Sequence, residues 1–153
     1  MCGIFGIVGT PEAARLTSRG LLHLRHRGQE GVGVASWDGG PDFHLHRESA
    51  YDGDIFNDAI LRTLPGNSAV GQVLYSTSER SEEEKLNHAI KDRVQPFKAH
   101  FDFGPLAITH NGNLTNARTL RRQLLARKRS LQTIDVDTAT ALEFIGAAEG
   151  ENL

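Results

Sequence analysis

The chain has 153 residues, enough for one domain with its own core and too few for two. At 39% hydrophobic and 24% charged residues, with a net charge of -2, it is neither a disordered chain nor a fibrous rod. That charge balance also supplies no global pull toward nucleic acid or an anionic membrane. Taken in chain order, residues 2–8 read as a short buried strand ending at Gly9. The apolar run Ile4-Phe5-Gly6-Ile7-Val8 is far too short to cross a bilayer and lacks the basic flank of a secretory signal, so a cytoplasmic protein is expected. Thr10-Pro11-Glu12 opens a helix, with a capping hydroxyl, a Pro at the first position and an acid in the first turn. Ala13, Leu16, Leu21 and Leu24 supply its buried stripe, and Gly28 is its expected stop. Residues 32–37 and 42–46 form two strands joined by Asp38-Gly39-Gly40-Pro41. Residues 54–64 read as a short amphipathic helix on Ile55, Phe56, Ala59 and Ile60, closed by Pro65-Gly66. Residues 70–76 and 106–110 are further strands, and the charged stretch 79–92 between them is a solvated insertion with one or two helical turns. Residues 115–129 are helical, with Ala117, Leu120, Leu124 and Leu125 turned inward. A last helix follows Asp137 as N-cap and runs through Leu142, Phe144 and Ile145 until Gly146 weakens it. Strands with helices between and after them predict a layered α+β protein rather than a doubly wound parallel sheet.

The single cysteine excludes an internal disulfide and a cysteine-based zinc site. It sits at position 2. A small residue there permits removal of Met1, which would leave Cys2 with a thiol and a free α-amino group on one residue. Such an amine titrates near 7.7–8.0, about where a base working at neutral pH should sit. A free thiol has a pKa of about 8.5, so modest help makes the nucleophilic thiolate. Attack on a carbonyl also needs donors aimed at the developing oxyanion. His110-Asn111-Gly112-Asn113, at a strand end, offers an Asn amide and an unhindered Gly N–H, although Asn-Gly by itself is first of all a turn dipeptide.

Cys2-Gly3-Ile4-Phe5-Gly6-Ile7-Val8-Gly9 and His26-Arg27-Gly28-Gln29-Glu30-Gly31-Val32-Gly33 resemble the class II, N-terminal nucleophile glutamine amidotransferases. Gly71-Gln72-Val73-Leu74-Tyr75-Ser76-Thr77, Gln95-Pro96-Phe97, 110–116 and Asp137-Thr138 follow in the family's order. His26-Arg27-Gly28-Gln29-Glu30 and Asn111-Gly112-Asn113-Leu114-Thr115-Asn116 are most similar to the glutaminase domain of the amidophosphoribosyltransferase branch. The resemblance implies a four-layer αββα sandwich and hydrolysis of glutamine to glutamate and ammonia through a thioester on Cys2, without a cofactor. It makes Asn111 and Gly112 the oxyanion hole and Asp137 the acid that grips the substrate's α-amino group. Arg27 and Tyr75 would organise the pocket around the nucleophile.

The family's pattern at 71–77 is Gly-His-x-Arg-Tyr-Ser/Thr-Thr, whereas this chain has Gln72 and Leu74 at the His and Arg positions. That Arg holds the α-carboxylate of glutamine, and a charged hydrogen bond is worth about 1.5–3 kcal/mol. Its loss should raise the Michaelis constant by roughly one to two orders of magnitude. Ala139 likewise replaces the acid that follows Asp137-Thr138. Members of the family continue past residue 153, completing the second sheet and adding a phosphoribosyltransferase domain. The resemblance therefore makes 1–153 one glutaminase domain, incomplete at its C-terminal end, whose ammonia acceptor lies in trans. The alternative is a degenerate domain of the same fold that serves in binding or assembly.

Other signals carry less. A strand, not a helix, is expected after Gly28-x-x-Gly31-x-Gly33, which argues against a phosphate loop. His44-Leu45-His46 lacks a third ligand and reads as exposed histidines rather than a metal site. Asn113-Leu114-Thr115 is a glycosylation sequon in form only. Arg121, Arg122, Arg127, Lys128 and Arg129 fall mostly opposite the leucines of their helix, with no aromatic side chains among them for stacking. They read as a solvated face, and no nucleic-acid partner is expected. The oligomeric state is not legible.

Overall fold

The computed structural model describes residues 2–49, 51, 55–75, 90–127 and 136–148. Strands β1 (Gly3–Val8), β2 (Gly31–Trp37), β3 (His44–Ser49) and β4 (Ser68–Leu74) form an antiparallel sheet in the order β1-β4-β2-β3. A second antiparallel pair joins β5 (Phe97–Phe101) to β6 (Gly104–Ile108). The helices are α1 (Ala13–His23), α2 (Asp58–Arg62), the single turn α3 (Ile90–Arg93), α4 (Ala117–Ala126) and α5 (Asp137–Ala148), with a 3₁₀ turn at Arg25–Arg27. The fold is α+β with antiparallel sheets, as its pattern of elements predicts.

Strand β2 is buried from Gly31 through Ser36, so both faces of the sheet are covered there. Val32 and Val34 pack with Ala13, Ala14 and Leu21 of α1, together with Ala69 and Val73 of β4. On the other face, Gly31 and Gly33 leave room for Val94 and the Gln95 backbone to come down onto the strand. Register pairs Gly33 with Gln72 and Gly31 with Leu74, so strand alternation puts Gln72 and Leu74 on this second face as well. Arg47 of β3 crosses to the same segment: its Nη1 donates to the Val94 carbonyl at 3.1 Å, and its guanidinium lies 5.8 Å from the Phe97 ring centre. Lys98 of β5 donates to the Asp42 carboxylate and, at 2.7 Å, to the Phe43 carbonyl. Helix α5 then covers β5 and β6, with Ala139 and Leu142 packed on Phe97 and Phe101.

Several expectations need correction. Helix α1 begins at Ala13, with the Thr10 hydroxyl accepting from Glu12 N–H at 3.3 Å, but it ends at His23. The 3₁₀ turn carries the chain on to Gly28, and the buried stripe is Ala13, Ala14, Thr17, Ser18 and Leu21, with Leu16 only half-buried. The helix expected over 54–64 is five residues long. Asn57 caps it, accepting from the N–H groups of Ala59 and Ile60, so Ile55 and Phe56 precede it and join the core as loop residues. Asp54 lies outside the described residues, as does most of the charged insertion, from which Ile90–Arg93 emerges as one turn. Strand β5 was not expected: Lys98 and His100 interrupt its apolar pattern, although Phe97 and Phe101 at its ends are buried. In α4 only Leu124 is buried and Leu125 is 54% exposed, because the helix is covered on a narrower stripe than its leucines suggest. Lys128 and Arg129 fall outside the described residues.

Gly146 does not weaken the last helix. A β-carbon there would stand 2.0 Å from Cε1 of Phe101, so the glycine admits the ring against the helix backbone. Ile145 faces solvent and Leu142 the core. No helix is long and apolar enough to cross a membrane, as judged over the described residues.

Candidate functional site

Cys2 lies half-buried immediately before β1, next to the end of β4. The backbone of Tyr75 brackets its thiol: Sγ lies 3.7 Å from the Tyr75 carbonyl oxygen and 3.5 Å from the Tyr75 N–H, which donates to it. Arg27 Nε donates to the Cys2 carbonyl at 3.0 Å, fixing the residue from its other side. Arg27 therefore reaches Cys2 with its side chain and Tyr75 with its main chain, while the Tyr75 ring is 49% exposed. The 3₁₀ turn that carries Arg27 ends at Gly28, which presses on the end of β4: a β-carbon there would lie 2.6 Å from the Leu74 carbonyl. Two residues on, Glu30 N–H donates to that carbonyl at 3.1 Å. His26-Arg27-Gly28 and the 71–75 stretch thus meet at Cys2, with glycine demanded by the close approach.

Asn111 and Gly112 follow β6 in an exposed turn. The turn is held from beneath. Gln72 Nε2 donates to the His110 carbonyl at 2.9 Å, and His110 N–H donates to Gln95 Oε1 at 2.6 Å. Asp137, at the start of α5, accepts from Leu114 N–H through Oδ2 at 2.8 Å. It is the first helical residue rather than a cap of its own helix, and its carboxylate serves the neighbouring loop instead.

The six candidate residues thus fall into two groups: Cys2, Arg27 and Tyr75 at the strand ends, and Asn111, Gly112 and Asp137 on the turn and helix beyond β6. Gln72 joins them. It pairs in register with Ile4 of β1, two residues from Cys2, and reaches the turn with its amide. Sequence reasoning treated Gln72 only as a departure from a motif and gave Gln95 no role. The available signal was an amide at an inward position of an otherwise apolar strand. Leu74, on the same face, is 9% exposed.

The two strand histidines do not share a site. His44 Nε2 lies 3.1 Å from Asp38, while half-buried His46 meets the Phe56 ring edge-on. Among the described residues no three His, Cys, Asp or Glu side chains gather as a metal ion requires.

No family model matches the chain. It is 41% identical over 145 residues to an amidophosphoribosyltransferase of Rhizobium etli, across 94% of this chain and 27% of the relative. It is 40% identical over 148 residues to a chloroplastic amidophosphoribosyltransferase of Vigna aconitifolia, across 97% of this chain and 28% of that protein. Among solved structures, the glutamine phosphoribosylpyrophosphate amidotransferase of B. subtilis, complexed with ADP and GMP, superposes with a TM-score of 0.78 at 32% identity, covering all of this chain and 30% of that one. An allosteric regulatory enzyme of purine biosynthesis superposes with a TM-score of 0.74 at 33% identity, covering 92% of this chain and 28% of the other. Sequence and fold agree: over nearly its whole length the chain is homologous to the amidophosphoribosyltransferases, and it spans less than a third of the length of these relatives.

Proposed function

We propose that the chain is a glutaminase domain that hydrolyses glutamine to glutamate and ammonia through a thioester on Cys2. The observation that carries this reading is the placement of Cys2, gripped by Arg27 and bracketed by Tyr75 at the meeting of two motifs, in a chain homologous to amidophosphoribosyltransferases. Loss of Met1 frees the α-amine, which takes the thiol proton. The thiolate sulfur attacks the carboxamide carbon, and the C–N bond breaks as the leaving nitrogen takes that proton and departs as ammonia. Water then adds to the thioester, the C–S bond breaks, glutamate is released and the Cys2 thiol is regenerated. In this reading Asn111 and Gly112 stabilise the oxyanion, Asp137 takes the substrate's α-amino group, and Arg27 and Tyr75 hold the nucleophile.

The wider fold we infer is the four-layer αββα sandwich. Its support is α1 on one face of the four-stranded sheet and, beyond the other face, the β5–β6 pair backed by α5. The ammonia acceptor we propose is a phosphoribosyltransferase domain, in line with the relatives' name. The cytoplasm is the proposed compartment, although plant relatives are named chloroplastic. Homology to enzymes gives the binding-module alternative no advantage.

The test is intact mass followed by labelling with a diazo-ketone analogue of glutamine. Met1-free protein should be labelled at Cys2 and release glutamate from glutamine, and Cys2→Ala should lose both. Equal labelling rates with Met1 retained would remove the α-amine as base.

A further inference from the structure

Gln72 is completely buried and Gln95 nearly so, at 0% and 6% exposure. Buried amides are kept where they satisfy something that an apolar side chain would leave unpaired. Here that partner is one residue. Gln72 donates to the carbonyl of His110 and Gln95 accepts from its N–H, so side chains from two different segments take both backbone groups of a single loop position. The partners also fix which way each amide points. A carbonyl only accepts, so Gln72 must present its NH₂, and an N–H only donates, so Gln95 must present its oxygen. Gln72 Oε1 is consequently turned to a buried place without a hydrogen-bond partner among the described residues.

We propose that Gln72 and Gln95 are positioning residues, a paired-amide clamp that holds the Asn111-Gly112 turn at a fixed height opposite Cys2. The proposal rests on the glutaminase reading, because it assigns the clamp to the geometry of the oxyanion donors. His110 is adjacent to Asn111, so pinning its peptide groups limits the freedom of the two donors that follow. The anchor itself sits in β4, the strand whose end leads to the Tyr75 backbone around the Cys2 thiol. One strand therefore sets the position of nucleophile and donors together. Oxyanion donors act on charge that develops in the transition state, so loosening them lowers kcat more than it changes KM.

The experiment compares the unsubstituted protein with Gln72→Met, Gln95→Met and Gln72→His, in the Met1-free form. Met keeps the length and removes the amide, whereas the imidazole N–H of His can donate to the same carbonyl. The Met variants should lose at least tenfold in kcat with KM within about twofold, and Gln72→His should stay within about threefold. Alkylation of Cys2 by iodoacetamide forms no oxyanion and should proceed at an unchanged rate. Folded Met variants with unchanged kcat overturn the proposal, as does a parallel loss of alkylation, which would mean that the whole site is distorted. Should the Met variants fail to fold, folded Gln72→His decides: a tenfold loss of kcat overturns the clamp. Failure of the glutaminase reading is distinguishable, because the unsubstituted protein would then not turn over glutamine at all. In that event ¹⁵N relaxation of Asn111 and Gly112 supplies the readout, rigid with the clamp and mobile in Gln95→Met or Gln72→His plus Gln95→Met. Equal relaxation in all forms overturns it.

Discussion

Leu74 concentrates the chemistry in question at one residue. It stands where the family pattern has an Arg, one position before the Tyr75 backbone that brackets Cys2, and its side chain is buried on the sheet face shared with Gln72. Leu74→Arg would supply a planar, bidentate partner for the α-carboxylate of glutamine. The expected outcome is a Michaelis constant for glutamine lower by about tenfold or more, since a charged hydrogen bond contributes about 1.5–3 kcal/mol. The turnover number should change little, because that carboxylate lies away from the reacting amide and is bound alike in ground and transition states. Glutamine amide, without the carboxylate charge, should gain nothing. Steady-state kinetics with both substrates, read beside the melting temperature, check this. A fall in Tm with no gain for glutamine would mean that the guanidinium is buried without a partner.

Among the elements, the β2–β3 hairpin shows how a turn is fixed by its own side chains. Asp38 Oδ1 accepts from Gly40 N–H at 2.9 Å, its Oδ2 faces His44 at 3.1 Å, and Trp37 Nε1 donates to the Gly40 carbonyl at 2.9 Å. Gly39 sits at φ +91°, which the turn requires. The Gly40 N–H, and after it the His44 side chain, hold the Asp38 carboxyl below its ordinary value. A depressed folded value means that the turn gains from the charged form at pH above the unfolded value of about 3.9. The gain disappears as pH falls through the depressed folded value. The Gly40 amide should therefore titrate in NMR spectra with a midpoint below that of an ordinary aspartate, and Asp38→Asn should abolish the transition. A midpoint at or above the ordinary value would contradict the hydrogen bonding that the turn displays.

At the scale of the whole molecule, Arg47 attaches the β5 segment to the four-stranded sheet, and in the proposed glutaminase this attachment sets how the turn after β6 stands relative to Cys2. Arg47 contributes from β3 through its bond to the Val94 carbonyl and its place over the Phe97 ring. Burial pushes its pKa below the ordinary value, with Asp92 acting the other way, yet a guanidinium stays charged at any working pH. Arg47→Ala should cost about 1.5–3 kcal/mol, the worth of a charged hydrogen bond, together with some lost stem packing. Amide exchange should quicken in β5 and β6 more than in β1 and β4, and glutamine turnover should fall with it. Uniform quickening across both sheets would show that Arg47 only stabilises the fold globally.

The sequence by itself determined the features that depend on near neighbours. The short apolar runs of β1, β2 and β4, the Asp38-Gly39-Gly40 turn and the starts of α1 and the last helix are all written in spacings of a few residues. So are Cys2 behind Met1 and the ordered motifs that carry the family resemblance. Strand β1, expected to be buried, nevertheless leaves Ile4, Phe5 and Val8 exposed, because nothing among the described residues covers that edge strand's outer side. Tertiary structure alone decided what depends on distant partners. Gln72 and the His110 carbonyl are 38 positions apart, and Leu114 and Asp137 are 23 apart, so no local pattern reports either bond. Asp137 has the look of a cap and binds another loop instead. Gly146 has the look of a helix breaker and instead receives the Phe101 ring, while β5 gains its strand character from pairing with β6 despite Lys98 and His100. Propensity is a weak preference of about a kilocalorie or less per residue, and burial of a large apolar side chain contributes more, at about 1.5–3 kcal/mol. Where packing and propensity disagreed in this chain, packing prevailed.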